Sequence, residues 1–367
     1  MKIGFDAKRI FNNFTGLGNY GRAVVSNLAK YHPEHEYHLF TPNIKKTSET
    51  LPFFKPPFKV HQGNGILWRT SGIIKDLQKA GIDIYHGLSH EIPLGIQKTS
   101  IKSVVTIHDL IFKVYPKQFP FIDRQIYDFK FKYACENANV LITVSESTKQ
   151  DIIKYYGIEE PKIHVNYLSA DPIFEKQFST SERKIVLEKY NLPSEFMLYV
   201  GSIIERKNLL RIIKAIELLP ADIDLPLVVV GKGKSYFQKI KKYLQTNPIL
   251  NRIIFTNYIE TADLPALYQS AQLFLFPSVY EGFGIPVIEA LHSNTPVITS
   301  DISSLPEAGG KAAFLVNPHS IEAISNGMEV VLTDSALRKQ MVEQGKKHVQ
   351  KFDGKVLANQ LMKIYME

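Results

Sequence analysis

The chain of 367 residues is too long for one ordinary hydrophobic core, so its length favours two domains. Hydrophobic residues make up 44% of it and charged residues 22%, which is typical of a soluble globular protein, and the single cysteine, Cys135, excludes an intramolecular disulfide and fits a reducing cytoplasm. The net charge of +8 allows an anionic partner, but without zinc-finger spacing or an RNA-binding aromatic signature we do not expect nucleic acid to be that partner.

The segment Met1-Lys2-Ile3-Gly4-Phe5-Asp6 predicts a buried first strand. Its charges interrupt the apolar residues too early for a secretory signal. No later run approaches the ~20 apolar residues that a membrane span needs. Short β-rich runs alternate with amphipathic helical stretches, and several are near-continuous Val, Ile and Leu, as in parallel strands covered on both faces. This alternation predicts an α/β protein with doubly wound sheets that bind ligands at the carboxyl ends of their strands. The predicted strands are residues 2–6, 36–41, 103–107, 140–144, 196–200, 226–230, 252–255, 273–276, 296–300 and 313–316.

A polar stretch at residues 170–193 is the expected domain boundary, since it separates two series of strands and helices. We expect an N-terminal Rossmann-like domain over residues 1–172 and a C-terminal one over residues 190–350. Two such domains of similar size would leave a cleft between them.

Two features of the first domain are candidates for a site. The glycines of Thr15-Gly16-Leu17-Gly18 follow the first strand, and predict either a loop whose amides approach a phosphate or a tight βα turn. His108 directly follows the strand at 103–107 and should emerge at its carboxyl end, as a catalytic or as a structural residue; His86 and His90 are lesser candidates of the same kind.

Basic and aromatic residues interleave in a third segment of the first domain, Lys45-Lys46, Phe53-Phe54-Lys55 and Phe58-Lys59. The pattern suits docking on an anionic membrane, but it also fits an ordinary proline-rich surface loop. Both interpretations stay open.

The second domain opens with a strand that leads through Gly201 to Arg206 and Lys207, placed where a helix should begin. Cations are disfavoured at that end of a helix, so two adjacent ones indicate an anion that compensates them. A diphosphate would do so, because Arg can fork to phosphate oxygens and Lys acts as a point charge. The alternative is that both side chains reach solvent.

The most informative segment is Glu281-Gly282-Phe283-Gly284-Ile285-Pro286-Val287-Ile288-Glu289, which predicts a glycine-rich turn between a strand and a helix. The two glycines let a ligand approach the backbone, and the helix start favours an anion. Glu281 would lie at the lip of this site and Glu289 in the first helical turn. Such a site suits a nucleotide-sugar.

The His, Asp and Glu residues are not spaced as in a known type of metal site. Asp222-Ile223-Asp224 precedes a strand rather than following one, which predicts an exposed loop instead of a pair of ligands for a divalent ion. We therefore expect no metal and no cofactor.

Taken together, these motifs resemble retaining glycosyltransferases of family 4, with the GT-B fold of two Rossmann-like domains facing a central cleft. The two glutamates seven residues apart, Glu281 and Glu289, are the family's hallmark. Around them, residues 277–280, 296–300 and 303–307 are similar to a subgroup that includes bacterial polysaccharide mannosyltransferases, as are residues 5–7, 16–20 and 108–110. The chain departs from the subgroup at Ile204-Glu205, where Glu-Pro is usual, and at Phe352-Asp353-Gly354, where Phe-Ser-Trp is usual.

The resemblance implies roles for these positions. Glu281 and the backbone of Gly282, Phe283, Gly284 and Ile285 would hold the hydroxyls of the donor sugar, and Glu289 would hold the ribose. Gly201 would lie in the donor site. Arg206 and Lys207 would neutralise the diphosphate, which Gly16 and Gly18 would approach from the other domain. His108 would face the transferred sugar or the acceptor. A final helix in residues 351–367 would return toward the first domain.

The implied reaction is retaining transfer of a hexose from a nucleoside diphosphate sugar, with GDP-mannose favoured and UDP-sugars open. The acceptor would be a hydroxyl of a glycan or lipid-linked glycan in the synthesis of a cell-surface polysaccharide such as lipopolysaccharide, on a cytoplasmic enzyme that contacts the inner face of the plasma membrane. A GT-B sugar-nucleotide epimerase and a non-catalytic sugar-nucleotide binder are the alternatives. A glycosidase fits less well, because hydrolysis needs no Arg-Lys pair.

Overall fold

The computed structural model describes residues 1–256 and 258–367. The chain divides into two units, one formed by Met1–Ser169 together with Asp353–Glu367, and the other by Ala170–Phe352. The boundary lies at Ser169. Residues 170–189, part of the expected boundary stretch, belong to the second unit, where Arg183 donates to the Gln269 carbonyl at 2.7 Å.

The first unit is built on a seven-stranded parallel sheet in the order β3-β2-β1-β4-β5-β6-β7. Its core lies between this sheet and the helices that cover it. The strands are β1 (Lys2–Asp6), β2 (Glu36–Thr41), β3 (Phe58–Gln62), β4 (Ile84–Gly87), β5 (Lys102–Ile107), β6 (Val140–Thr143) and β7 (Ile163–Val165). The helices are α1 (Lys8–Asn12), α2 (Gly16–Tyr31), α3 (Ile73–Ala80), α4 (Ile111–Val114), α5 (Phe121–Asn137) and α6 (Glu146–Tyr156).

The second unit is built on a six-stranded parallel sheet in the order β10-β9-β8-β11-β12-β13. The chain winds outward from β8 in one direction and then restarts at β11 in the other, so β8 and β11 flank a switch point. The strands are β8 (Met197–Val200), β9 (Leu227–Val230), β10 (Ile253–Thr256), β11 (Leu273–Phe276), β12 (Val297–Ser300) and β13 (Ala313–Val316). The helices are α7 (Thr180–Lys189), α8 (Leu209–Ile216), α9 (Ser235–Gln245), α10 (Leu264–Ser270), α11 (Ile285–His292), α12 (Leu305–Gly309), α13 (Ile321–Thr333) and α14 (Ser335–His348).

The last helix, α15 (Gly354–Met366), belongs to the first unit. Its Tyr365 hydroxyl lies 2.6 Å from Nδ1 of the buried His86, and its Leu357 carbonyl accepts from the Asn166 amide at 3.2 Å. Short 3₁₀ segments lie at Leu51–Phe54, Ile96–Lys98, Pro116–Gln118, Glu160–Lys162, Pro172–Glu175, Glu205–Lys207, Pro248–Arg252, Gly310–Ala312 and Val349–Phe352, and one π turn at Trp68–Gly72.

The predicted α/β class with two doubly wound parallel sheets is confirmed. All ten predicted strands are present, each within one residue of its expected ends, whereas β3, β4 and β7 were not predicted. Strand β3 alternates polar and apolar residues at the sheet edge, β4 ends in His86-Gly87, and β7 has only three residues with His164 at its centre, so none has the continuous apolar run that marked the others. Among the residues that the structure describes, no helix is both long and apolar enough to cross a membrane.

Candidate active site

Two loops meet at the switch point of the second sheet. The loop after β8 carries Arg206 and Lys207, and the loop after β11 carries Glu281. One oxygen of the Glu281 carboxylate lies 2.8 Å from an Arg206 nitrogen and the other lies 3.1 Å from the Lys207 ammonium. Each of the three side chains is only 13% exposed. Residues 75 positions apart therefore form one compact charged group, because parallel strands bring their carboxyl ends to the same edge.

The charges of this group stabilise one another. Burial opposes ionisation of Glu281, but the facing Lys207 and Arg206 outweigh it and hold the pKa of the carboxyl below its usual range. Burial lowers the pKa of Lys207, against the pull of Glu281, and its ammonium also lies 4.4 Å from the centre of the Phe276 ring. The sequence indicated that an external anion compensates the two cations. In the structure the chain's own Glu281 does so.

Asn208 fixes the loop that presents these cations. It adopts a left-handed conformation with φ 67°, which Asn tolerates better than most residues, and begins helix α8. Its buried side-chain amide donates to the carbonyls of Pro277 and Pro318, at 2.9 and 2.7 Å. The Val279 amide donates to the Arg206 carbonyl at 2.9 Å, which joins the two loops directly. No role was expected for Asn208, although an Asn that directly follows two cations at the start of a predicted helix is a usable signal, because Asn favours the N-cap.

Two serines after β12 brace the Glu281 loop from the other side. The Ser303 hydroxyl accepts from the Glu281 amide at 3.1 Å and donates to its carbonyl at 2.8 Å. The Ser304 hydroxyl lies 2.8 Å from the carbonyls of both Glu281 and Phe283. These residues entered the sequence analysis as a matching motif without a role, and the structure shows that they position the backbone of the glycine-rich turn.

Gly201 makes room for the Lys207 side chain. Its φ of 151° is rarely adopted by other residues, and a Cβ there would lie 3.2 Å from the Lys207 Cδ. The neighbouring loop approaches still more closely, since a Cβ on Gly231 would lie 1.9 Å from the Gly201 carbonyl oxygen. Gly231 was missed in the sequence, and it has the same function of close backbone packing.

The glycine-rich turn leads into helix α11, as predicted, with Gly284 at the N-cap with φ 123° and Pro286 in the first turn. Glu289 is the fifth residue of this helix, so it lies in the second turn and the predicted first-turn position is wrong. Its carboxylate accepts from the Tyr268 hydroxyl at 3.0 Å. Burial is the main reason why the pKa of Glu289 rises to about 7.

Gly16 and Gly18 are not in a loop, so the predicted turn is wrong. Both lie in the first turn of α2, which follows the short helix α1 in the chain. The Gly18 amide donates to the Asn13 side chain at 3.1 Å and to the Thr15 carbonyl at 2.9 Å. A Cβ at Gly18 would lie 1.7 Å from the Asn13 carbonyl oxygen, whereas one at Gly16 would meet nothing within 4 Å. Gly18 is thus required for packing, and the approach of these glycines to a diphosphate stays a prediction.

His108 follows β5 as predicted, but it is buried rather than projecting from the sheet edge. Its Nε2 lies 2.9 Å from the Leu88 carbonyl, which can only accept, so we assign the hydrogen to Nε2. Burial lowers the pKa of His108 to about 4, so its ring is neutral near pH 7. Among the lesser candidates, His86 forms hydrogen bonds with the hydroxyls of Thr106 and Tyr365 in the core, and the His90 ring stacks on Phe131.

The Asp222 and Asp224 side chains lie in an exposed segment before β9, where Asp224 faces Arg252 at 3.3 Å. Within residues 1–256 and 258–367, no group of three or more His, Cys, Asp or Glu side chains is arranged to hold a metal ion. The expectation that no metal or cofactor is needed stays a prediction.

Comparison with known proteins assigns both halves of the chain. Residues 14–172 match Glycosyltransferase Family 4, and residues 182–348 match Glycosyl transferases group 1. The chain belongs to glycosyltransferase family 4. The predicted family and the predicted hexosyltransferase class of enzyme are therefore confirmed.

Two curated relatives from Escherichia coli are mannosyltransferases by name. O-antigen chain mannosyltransferase B is 27% identical, over 100% of this chain and 99% of its own length. The serotype-specific mannosyltransferase WbdA is 29% identical over 70% of this chain, but the match spans only 32% of WbdA. Among solved structures, HepE of Anabaena in complex with UDP covers 100% of both chains with a TM-score of 0.78 and 17% identity. At that identity the likeness concerns the fold, and the GT-B assignment of this enzyme is confirmed.

Proposed function

We propose that this enzyme transfers a hexose from a nucleoside diphosphate sugar to a hydroxyl of a glycan or lipid-linked glycan, with retention of the anomeric configuration. The observation that carries the proposal is the cluster of Arg206, Lys207 and Glu281 at the switch point of the second sheet. It combines two cations suited to a diphosphate with a carboxylate suited to sugar hydroxyls.

In this mechanism the incoming diphosphate takes over Arg206 and Lys207 from Glu281. The released carboxylate then accepts hydrogen bonds from the donor sugar, as the family resemblance implies. The bond between the anomeric carbon and the phosphate oxygen breaks, the acceptor oxygen bonds to that carbon on the same face, and the acceptor proton passes to the leaving phosphate. The two cations stabilise the charge that develops on the diphosphate.

Glu289 is our candidate for the ribose. Its pKa of about 7 means that the carboxyl is partly protonated near neutral pH. A ribose offers two hydroxyl donors, which would favour the ionised form of this carboxylate beside its hydrogen bond from Tyr268.

GDP-mannose is the donor we favour, because relatives that match this chain along most or all of its length are named mannosyltransferases. A UDP-sugar is the second possibility, since the neighbouring HepE structure contains UDP. The same relatives favour synthesis of a cell-surface polysaccharide of the O-antigen kind. Transfer to a lipid-linked acceptor would place the enzyme at the inner face of the plasma membrane.

The decisive experiment has two stages. A thermal-shift screen of GDP, UDP and ADP, followed by their sugars, identifies the donor, because a ligand that binds the folded state raises its stability with concentration. Products are then analysed with and without acceptor, and the anomeric configuration is read by NMR. A new glycosidic bond with retained configuration supports the proposal. Conversion of the donor without any acceptor would indicate an epimerase, and binding without turnover over a broad acceptor panel would indicate a binding protein.

A further inference from the structure

Helix α5 (Phe121–Asn137) exposes large apolar side chains on its outer side. Phe121 is 66% exposed, Ile122 70%, Ile126 46% and Phe129 63%. At about 100° per residue these four side chains fall within an arc of about 140° on one side of the helix. We call them the α5 stripe. An amphipathic helix of a globular protein normally turns such a stripe toward the core.

The other side of the same helix is the one that packs on the first unit. Phe131, Ala134 and Cys135 are buried members of its core. The helix therefore has two apolar sides, and the folded unit uses only one of them. A row of exposed apolar side chains of this size indicates a surface that binds a protein, a membrane or another ligand.

The charge of the chain indicates which kind of partner this is. The first unit holds 24 Lys and Arg against 17 Asp and Glu, a net charge of +7, whereas the second holds 20 against 19, a net charge of +1. Nearly all of the positive excess therefore lies in the unit that carries the α5 stripe. Helix α5 itself is electrically balanced, with three cations and three anions: Arg124, Lys130, Lys132, Asp123, Asp128 and Glu136. The attraction to an anionic partner therefore comes from the rest of the first unit and not from the stripe.

We propose that the α5 stripe inserts into the interfacial region of an anionic lipid bilayer, while the cationic first unit is held at its surface. Apolar side chains that enter the acyl boundary and long-range attraction to anionic headgroups together give reversible attachment. The biological role rests on the proposed function, since a lipid-linked acceptor would be reached from this surface. The attachment itself does not require that reaction.

The segment at residues 45–59, whose basic and aromatic residues suggested membrane docking, exposes less apolar surface than the α5 stripe. Phe53 is buried, and the Lys59 ammonium of strand β3 pairs with Glu36 of the neighbouring strand β2. Lys45 and Lys46 lie over the rings of Phe14 and Phe54, at 5.1 and 5.4 Å. These aromatic side chains mostly serve local packing, so α5, with its larger exposed apolar surface, is our candidate for the membrane contact.

The test is co-sedimentation of the full chain, without substrates, with vesicles rich in phosphatidylglycerol and with vesicles of phosphatidylcholine alone. The test variant is Phe121→Gln/Ile122→Gln/Ile126→Gln/Phe129→Gln, since Gln keeps the helix and removes the apolar groups. The matched control is Ile185→Gln/Leu218→Gln, which removes apolar side chains 64% and 55% exposed in the second unit. The rival variant is Lys45→Glu/Lys46→Glu/Lys55→Glu. Circular dichroism and the midpoint of thermal unfolding establish that each variant is folded.

We expect the wild type to bind the anionic vesicles and the α5 variant to lose about tenfold or more of that binding, with the control unchanged. Equal binding of the α5 variant and the wild type overturns the proposal, as does loss confined to the rival variant. Self-association that disappears in the α5 variant, with no vesicle binding by the wild type, would instead identify the stripe as an interface between copies. Vesicle binding without transferase activity would overturn the proposed function alone.

Discussion

The substitution Glu281→Gln tests the exchange of partners at the centre of the proposed mechanism. It keeps the shape of the side chain but removes the charge shared by Arg206 and Lys207 at 2.8 and 3.1 Å. In the free enzyme this carboxylate competes with an incoming diphosphate for both cations. Its removal should therefore tighten the binding of the nucleoside diphosphate product, even though it damages the site.

The magnitude follows from the contacts. A unit-charge pair near 3 Å has an attraction of about 5 kcal/mol at an effective dielectric constant of about 20, of which desolvation cancels a large part. Taking about 1.5–3 kcal/mol as the net value of a charge-assisted hydrogen bond, we expect the diphosphate to bind about 10- to 100-fold more tightly. The lost contacts with the donor sugar should lower kcat/KM by a similar factor. Without ligand, the variant should lose about 3–5 kcal/mol of unfolding free energy, because two largely buried cations lose their partner.

Isothermal titration calorimetry with the diphosphate selected by thermal shift measures the affinity, and steady-state kinetics measure the turnover. Glu343→Gln is the matched control, since it removes an exposed carboxylate that pairs with Lys346 at 2.7 Å. Opposite changes in affinity and turnover support the reasoning. If the variant binds the diphosphate no more tightly than the wild type, Glu281 does not compete for the cations and the exchange mechanism is wrong.

Three further predictions concern other parts of the site. Lys207→Ala should lower kcat/KM by about 10²–10³, as loss of one preorganised charge contact does, and near-normal turnover would contradict its role at the diphosphate. Glu289, whose pKa is about 7 when folded against an ordinary 4.5, keeps a proton that the unfolded chain loses, so its contribution to stability is lost as pH rises from about 4.5 to 7. Burial of His86 and His108 acts in the opposite direction over this range, so the test is the difference in the free energy of urea unfolding between the wild type and Glu289→Gln. This difference should change by up to about 3 kcal/mol across the window, and a difference independent of pH would refute the assignment. Gly18→Ala should lower the melting temperature markedly because its Cβ would lie 1.7 Å from the Asn13 carbonyl, whereas Gly16→Ala, with open space, should not; equal melting temperatures would contradict the packing role.

Much of the fold could be predicted because parallel strands buried on both faces need continuous apolar runs, which the sequence displays locally. Strand β11 and the turn into helix α11 are examples, since Leu273–Phe276 is wholly apolar and Gly284 with Pro286 marks the helix start. Strands β3, β4 and β7 escaped prediction because their pairing within the sheet, rather than their own composition, makes them strands. The glycines at 16 and 18 were misplaced for a related reason. Glycine disfavours helices on average, so two glycines predict a loop. Only the structure shows that the close approach of the Asn13 carbonyl requires glycine at position 18 of helix α2.

The candidate residues of the second unit could be selected from the sequence, because the types and order of Arg206, Lys207, Glu281 and Glu289 are local properties of the chain. Which of these side chains face one another depends on the fold. Glu281 compensates both cations and His108 is a neutral, buried residue, while Glu289 lies one turn deeper with a raised pKa. Partner distance and burial set those properties, and both depend on residues far apart in sequence that meet where β8 and β11 end side by side.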